Sequence, residues 1–158
     1  MLRKQILREM YPCVSPGVIS IPDAATVLVS SEMPGHPVDC ICDDQRGPGS
    51  TRWIADGPGD QSLVLAFDTA RTLHKVSLEV EEPDVSRTQE LALSISHDGG
   101  QTYREVLRQE YNFSPPGTSF EHEEWHIPAE GVTNLWVWIR PDKGGKPCRA
   151  SITSLVLE

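Results

Sequence analysis

The chain has 158 residues and a formal net charge of −9 at pH 7, with 38 % hydrophobic and 23 % charged residues, which fits one globular domain. The acidic balance argues against nucleic acids and anionic membranes as partners, because both attract Lys and Arg. The first ten residues lack the continuous apolar stretch of a secretory signal, and no apolar run reaches the ~18 residues of a membrane helix. We therefore expect a cytoplasmic protein with reduced cysteines.

The first 24 residues are predicted to lie apart from the main domain. Leu2, Ile6 and Met10 recur every four residues, a spacing that predicts a short amphipathic helix over residues 1–10. The segment from residue 11 to residue 23 contains three prolines and is predicted to be an extended arm. The chain is thus divided into a helix and arm over residues 1–24 and a β-sandwich over residues 25–158.

From residue 25 onward, apolar and polar residues alternate as in half-buried β-strands. Strands are predicted over residues 25–31, 61–67, 72–81, 89–96, 103–108, 134–140 and 151–157. In the third of these, His74, Val76, Leu78 and Val80 are predicted to share the inward face. Asp98-Gly99-Gly100 indicates a tight hairpin, because Gly tolerates a positive φ. Seven strands and one helix predict an all-β fold, an antiparallel β-sandwich of the jelly-roll type.

Several motifs in this order resemble discoidin domains, also called coagulation-factor C-type domains, which belong to the galactose-binding-like β-sandwiches. The matching stretches are His36-Pro-Val-Asp-Cys-Ile-Cys-Asp-Asp44, Thr51-Arg-Trp53, Gln61-Ser-Leu-Val-Leu-Ala-Phe-Asp68 and Ser96-His-Asp-Gly-Gly-Gln-Thr-Tyr103. The resemblance covers roughly residues 25–158. It implies a fold shared with carbohydrate-binding modules, with Trp53 in the core and ligand loops at one end of the sandwich.

The resemblance also implies that three loops converge at that end: Asp43–Arg52, Glu81–Arg87 and Arg140–Arg149. A sugar needs planar polar groups for its hydroxyls and an aromatic face for its C–H groups. The candidate polar residues in these loops are Arg46, Arg52, Glu82, Asp84, Arg87, Asp142, Lys143 and Arg149. Tyr111 and Phe113, which we expect on another long loop, could stack on the sugar. The alternative is a set of solvated loops with surface ion pairs of little energetic value.

Members of this group often hold a structural calcium ion near the Asp-containing turn, which implies Asp43 and Asp44 as ligands. Calcium takes six to eight oxygen ligands. The family often adds a Glu in the final strand, whereas the matching position here is near Ser154. The alternative is that the two aspartates only form a turn.

Two tryptophans, Trp136 and Trp138, are predicted to point away from the inward face of the strand over residues 134–140. An uncovered pair of this kind would mark a ligand or partner site. The alternative is structural: the N-terminal helix or the proline arm covers them.

Two clusters of side chains are candidate metal sites. Cys40 and Cys42, joined by His36 and Cys148, could form a zinc set, but Cys-x-Cys is not the usual spacing, so buried thiols are expected. His122, Glu124 and His126 would share one face of a strand and could hold a metal for catalysis if a fourth ligand arrived. The alternative is a solvent-facing edge strand whose charges block aggregation.

No phosphate-binding loop, nucleophile elbow or His-Glu-x-x-His motif occurs in the sequence. We therefore expect a protein that is not an enzyme, binds carbohydrate or another polar ligand through its end loops and needs no cofactor beyond a possible calcium ion. The first alternative is a cytoplasmic protein–protein interaction or scaffold domain. The remote alternative is a metal-dependent enzyme that uses His122 and His126.

Overall fold

The computed structural model describes residues 17–158 of the chain. The helix predicted over residues 1–10 lies outside the described residues. Ile21–Ala24 forms one turn of α-helix instead of the predicted extended arm. Pro22 is compatible with this turn because the first turn of a helix needs no amide hydrogen from it. No helix within residues 17–158 has the length and apolar character needed to cross a membrane.

Eight strands make up most of the described chain. They are β1 (Ala25–Val29), β2 (Trp53–Pro58), β3 (Gln61–Glu81), β4 (Arg87–Ser96), β5 (Arg104–Phe113), β6 (Phe120–Arg140), β7 (Arg149–Ile152) and β8 (Ser154–Leu157). A 3-10 helix, Val38–Cys42, interrupts the loop between β1 and β2. Every strand pair is antiparallel, which confirms the predicted all-β fold.

The sandwich has two layers that share their two longest strands. The first layer has the order β1–β3–β6–β4–β5, and it uses the first half of β3 and the second half of β6. The other halves of β3 and β6 pair with each other, and β8 adds to β3 there. The two-stranded sheet of β2 and β7 completes the second layer. One continuous apolar core lies between the layers.

Register shifts occur between β3 and β6 where the two strands pass from one layer to the other. Such irregularities bend a strand and change which side chains face inward. Leu73 and Val76 are both fully buried, while His74 is exposed. The predicted inward position of His74 is therefore wrong, whereas Val76, Leu78 and Val80 are inward as predicted.

The loop from residue 30 to residue 52 is anchored at its end by Trp53. This indole has no exposed surface, and its Nε1–H donates a hydrogen bond to the carbonyl oxygen of Ser31 at 2.9 Å. The Met33 amide also donates to the carbonyl oxygen of Ile54 at 2.8 Å. Trp53 thus belongs to the core, as the resemblance implied, and holds both ends of a long loop on the sandwich.

The hairpin between β4 and β5 is closed by a carboxylate cap. Gly99 and Gly100 have φ angles of 75° and 87°, the left-handed region that favours glycine. The Asp98 carboxylate accepts hydrogen bonds from the Thr102 hydroxyl, the Thr102 amide and the Ser96 hydroxyl. These bonds, those from Thr102 first, lower the pKa of Asp98 to about 2.

This cap predicts a specific acid sensitivity. A depressed pKa in the folded state stabilises the fold above the ordinary value of 3.8, and the contribution is lost as the pH falls toward about 2. Asp98→Asn removes the charge at every pH. We expect its melting temperature to lie below wild type at neutral pH and to approach wild type as the pH falls toward 2. Melting curves across that range test this, and a constant difference would contradict the assignment.

Candidate functional site

A groove of about 510 Å³ lies at one end of the sandwich, where parts of the predicted loops Glu81–Arg87 and Arg140–Arg149 meet Arg52, the last residue of the third predicted loop. We call it the end groove. It forms there because β2 and β3 finish at this end while β4 and β7 begin at it. Its lining consists of Met33, His36, Arg52, Ile54, Pro58, Glu81, Glu82, Pro83, Asp84, Val85, Pro147, Cys148, Arg149 and Ser151.

Arg87 lies beneath the end groove and connects the loop that follows β3 with the loop that follows β6. Its side chain is fully buried, and its Nε lies 2.7 Å from the Glu82 carboxylate. The Nη1 group donates to the side-chain oxygen of Gln89 and to the carbonyl oxygen of Pro141, both at 2.8 Å. The guanidinium also lies 4.8 Å from the centre of the Phe113 ring. These contacts make Arg87 a support of the groove floor, out of reach of a ligand.

Glu82 shapes the loop that follows β3. One carboxylate oxygen contacts Arg87, and the other accepts hydrogen bonds from the amides of Asp84 and Val85 at 3.1 and 3.2 Å. The Asp84 side chain is left exposed at the groove and has no hydrogen-bond partner among the described residues. Glu82 therefore positions the loop, while Asp84 offers a free carboxylate.

The loop that follows β6 is held by Asp142. Its carboxylate accepts hydrogen bonds from the amides of Thr88 and Lys146, both at 2.9 Å, and these bonds lower the pKa of Asp142. Lys143 forms an ion pair with Glu110. Asp142 and Lys143 line a second depression, of about 450 Å³, which shares Pro58 and Pro147 with the end groove.

Within the end groove, Arg52 and Arg149 differ in their partners. The Arg52 guanidinium lies 3.5 Å from the Glu81 carboxylate. Arg149 donates instead to the carbonyl oxygen of Asp56 at 3.2 Å and contacts the sulfur of Met33 at 3.6 Å. The structure thus brings Arg52, Glu82 and Arg149 to one groove.

Arg46 lies elsewhere. It lines two depressions beside β8 that do not include the end-groove residues. The loop carrying it crosses the outer surface of β3, where the Gly47 amide donates to the Glu79 carboxylate at 2.7 Å. This contact lies over Glu79, which is only 7 % exposed although it points away from the core.

The Asp43–Asp44 turn is closed by hydrogen bonds. The Asp43 carboxylate accepts from the Gln45 amide at 3.0 Å and from the Thr51 hydroxyl, and Asp44 adopts a left-handed φ of 62°. Within residues 17–158, no three His, Cys, Asp or Glu side chains are grouped to share a metal ion. The Asp43 carboxylate is therefore engaged in closing the turn. Calcium at Asp43 and Asp44 stays a prediction from the resemblance.

Tyr111 and Phe113 are not available for stacking on a ligand. They lie in β5, where a loop was expected, and are only 6 % and 2 % exposed. Burial, the main cause, together with Glu123 and Glu121, raises the pKa of Tyr111. The interpretation as stacking residues is wrong because β5 continues further than its charged sequence indicated.

Trp136 and Trp138 point outward from β6, as predicted, and are half-buried. Tyr103 contacts Trp136 edge-on at 5.3 Å, and the guanidinium groups of Arg108 and Arg140 lie 5.2 and 5.1 Å from the Trp138 ring centre. The described part of the arm lies against β8 instead, where the Ile19 amide donates to the carbonyl oxygen of Leu157. Among the described residues, Tyr103, Arg108 and Arg140 contact the tryptophan rings.

The two other clusters do not assemble as metal sites within residues 17–158. His122, Glu124 and His126 share an exposed face of β6 as predicted, and His122 Nδ1 lies 3.1 Å from the Glu79 carboxylate. Cys148 is buried and lines the end groove, whereas Cys40 and Cys42 are only half-buried. All three are free thiols, and burial, the leading cause, raises the pKa of each.

Sequence reasoning missed part of the groove. Met33, His36 and Ile54 line it, yet His36 was considered only for zinc. The His36 ring nitrogen Nδ1 lies 3.3 Å from the carbonyl oxygen of Arg52. Of these three residues, only His36 belongs to a motif that the sequence analysis identified, His36–Asp44.

Comparison with known proteins supports the fold. Neither a protein-family model nor a curated protein sequence gives a match to the chain. Solved structures do. A pectin-binding carbohydrate-binding module has a TM-score of 0.62 at 17 % identity, over 85 % of this chain and 90 % of that one. The family 32 module of Clostridium perfringens NanJ, solved with galactose, has a TM-score of 0.61 at 16 % identity, over 89 % and 97 %.

A third similar structure is the family 32 module of AlyQ, solved with 4,5-unsaturated mannuronic acid. Its TM-score is 0.52 at 21 % identity, over 84 % of this chain and 93 % of that one. At these identities the likeness establishes the fold. The described chain has the β-sandwich fold of these carbohydrate-binding modules, as the motifs indicated.

Proposed function

We propose that the chain is a noncatalytic carbohydrate-binding module and that the end groove binds the sugar. The observation that carries this proposal is the convergence of three loops on a groove that combines charged groups with apolar carbon surface. The structurally similar proteins include modules solved with galactose and with 4,5-unsaturated mannuronic acid, and one described as binding pectin. Their ligands support a sugar as the ligand here.

The groove offers both kinds of contact that a sugar needs. Arg52, Arg149 and Asp84 supply donors and acceptors for hydroxyl groups. Apolar contact with C–H groups falls to Ile54, Pro58 and neighbouring side chains, since the described lining contains no Phe, Tyr or Trp. Binding therefore depends more on hydrogen bonds than on stacking.

The carboxylates of the groove support a binding role over a hydrolytic one. Hydrolysis of a glycosidic bond uses two carboxyl groups that flank the bond and contact the substrate. Here Glu81 is paired with Arg52, and Glu82 is paired with Arg87. Of these three carboxylates, only Asp84 has no ionic partner among the described residues.

The free Asp84 carboxylate allows a direct test of the end groove as the sugar site. A glycan array identifies a bound sugar, and calorimetry with that sugar measures its affinity for the Asp84→Ala variant. We expect a loss of roughly tenfold, because hydrogen bonds to a charged group are among the stronger ones. The melting temperature should not change, since the Asp84 side chain has no partner in the described fold.

Asp68→Ala is the matched control, because Asp68 is an exposed aspartate between the two halves of β3, away from the groove. It should leave affinity unchanged. Failure of the wild-type protein to bind any glycan, or equal affinity for the Asp84→Ala variant, would reject the groove as the sugar site.

A second candidate function, a protein–protein interaction domain, is supported by the outer face of the first layer. Leu28 is 56 % exposed and pairs in register with Val64, which pairs with Trp136. These side chains form an apolar row, the sort of surface that partners cover. An array without bound glycans, together with a complex that Leu28→Asp abolishes, would favour this function.

A further inference from the structure

We propose that the end groove selects sugars that carry a carboxylate, and that Arg149 binds that carboxylate. The inference rests on the proposed sugar-binding function and narrows it to one chemical class, glycans that contain uronic acid. Three observations carry it: an arginine without an ionic partner, its place in the groove and a second unpaired cation beside it.

Arg149 is the cation of the end groove that has no ionic partner among the described residues. Of the eleven Lys and Arg side chains in residues 17–158, six have a carboxylate within 4.0 Å and five have none, and Arg149 is the one of these five that lines the end groove. Arg149 is exposed and has none among residues 17–158. Its two contacts, with a backbone carbonyl oxygen and a methionine sulfur, hold the guanidinium in place without neutralising it.

The held guanidinium suits a carboxylate. Its planar fork carries five N–H donors, which match the two oxygens of a carboxylate in a bidentate contact. Two N–H groups at most are used by Asp56 and Met33. The contacts with these two neighbours also reduce the side-chain freedom that binding would otherwise remove.

A second cation extends this environment. Lys146 lies three residues before Arg149 and lines the neighbouring depression, which shares Pro147 with the end groove. Its Nζ donates to the carbonyl oxygen of Ser86 and has no carboxylate within 4.0 Å among residues 17–158. Two cations without a carboxylate within 4.0 Å thus lie at the end of the sandwich that also carries the free Asp84 carboxylate. A sugar carboxylate placed at Arg149 gains from both cations.

The experiment compares one sugar in charged and neutral form. Oligogalacturonate and its methyl ester share ring stereochemistry and differ at the carboxyl group. Calorimetry at low ionic strength should give the charged oligomer an affinity roughly tenfold higher. Arg149→Gln should abolish the difference, because the affinity for the charged oligomer falls to that for the ester. Added salt should weaken binding of the charged oligomer to the wild type.

Arg104→Gln is the matched control: it removes one exposed, unpaired cation from the start of β5, outside the end groove. It should retain the preference for the charged oligomer. Equal affinity of the wild type for charged and neutral oligomers would overturn the selection but leave sugar binding intact. A preference retained by Arg149→Gln would overturn the role of Arg149. Binding of no glycan at all would instead reject the proposed function.

Discussion

Replacing Arg87 with alanine is expected to lower the free energy of unfolding by about 3–5 kcal/mol, the usual cost of removing one partner of a buried ion pair. The loss is large because the fully buried guanidinium contacts Glu82, Gln89 and the carbonyl oxygen of Pro141. Without it, all three acceptors lose their donor inside the protein. Urea denaturation measures the change.

Two further variants separate the ion pair from general damage. Arg87→Met with Glu82→Gln removes both charges and should recover part of the stability lost in Arg87→Met alone, because no unpaired charge remains. Arg104→Ala removes an exposed arginine and should change stability by no more than about 0.5 kcal/mol. Additive effects of the two substitutions would contradict a coupled pair.

Trp53→Ala is expected to cost about 3–5 kcal/mol, the range for deleting a buried aromatic side chain. The indole is fully buried, and its N–H also satisfies the Ser31 carbonyl oxygen. The substitution therefore opens a cavity and releases the loop over residues 30–52 at the same time. Thermal and urea denaturation should both show the loss.

Trp53→Phe distinguishes these two contributions. It keeps an aromatic ring in the core but leaves the Ser31 carbonyl oxygen without its donor, so we expect a smaller loss of about 1–3 kcal/mol. Faster proteolysis within residues 30–52 should accompany both variants, because Trp53 holds the loop ends. Equal stability of Trp53→Phe and wild type would show that the hydrogen bond contributes nothing.

The fold could be predicted from the sequence because the alternation of apolar and polar residues and the positions of the turn residues both indicate a layered β-structure. Leu63 and Leu65 on β3, and Leu135 and Val137 on β6, are all fully buried, as their period-two spacing indicates. The failures occur where the period breaks. His74 follows a register shift, and such a shift depends on pairing with a distant strand that local patterns do not show.

The candidate site was predictable only at the level of loops. The three loops meet at one end because the strand order requires it. Which charges stay free depends on contacts between residues far apart in sequence. Arg87 and Arg149 look alike in the sequence, yet one is buried against Pro141 and the other is exposed beside Met33. Side-chain partnership over such separations cannot be derived from composition or spacing.

The sharing of β3 and β6 between the two layers has a consequence for how the molecule fluctuates. The two layers cannot separate as rigid bodies, because the paired strands β3 and β6 run through both of them. Separating the layers therefore requires breaking that ladder. The free energy of such a local opening is then close to the free energy of global unfolding.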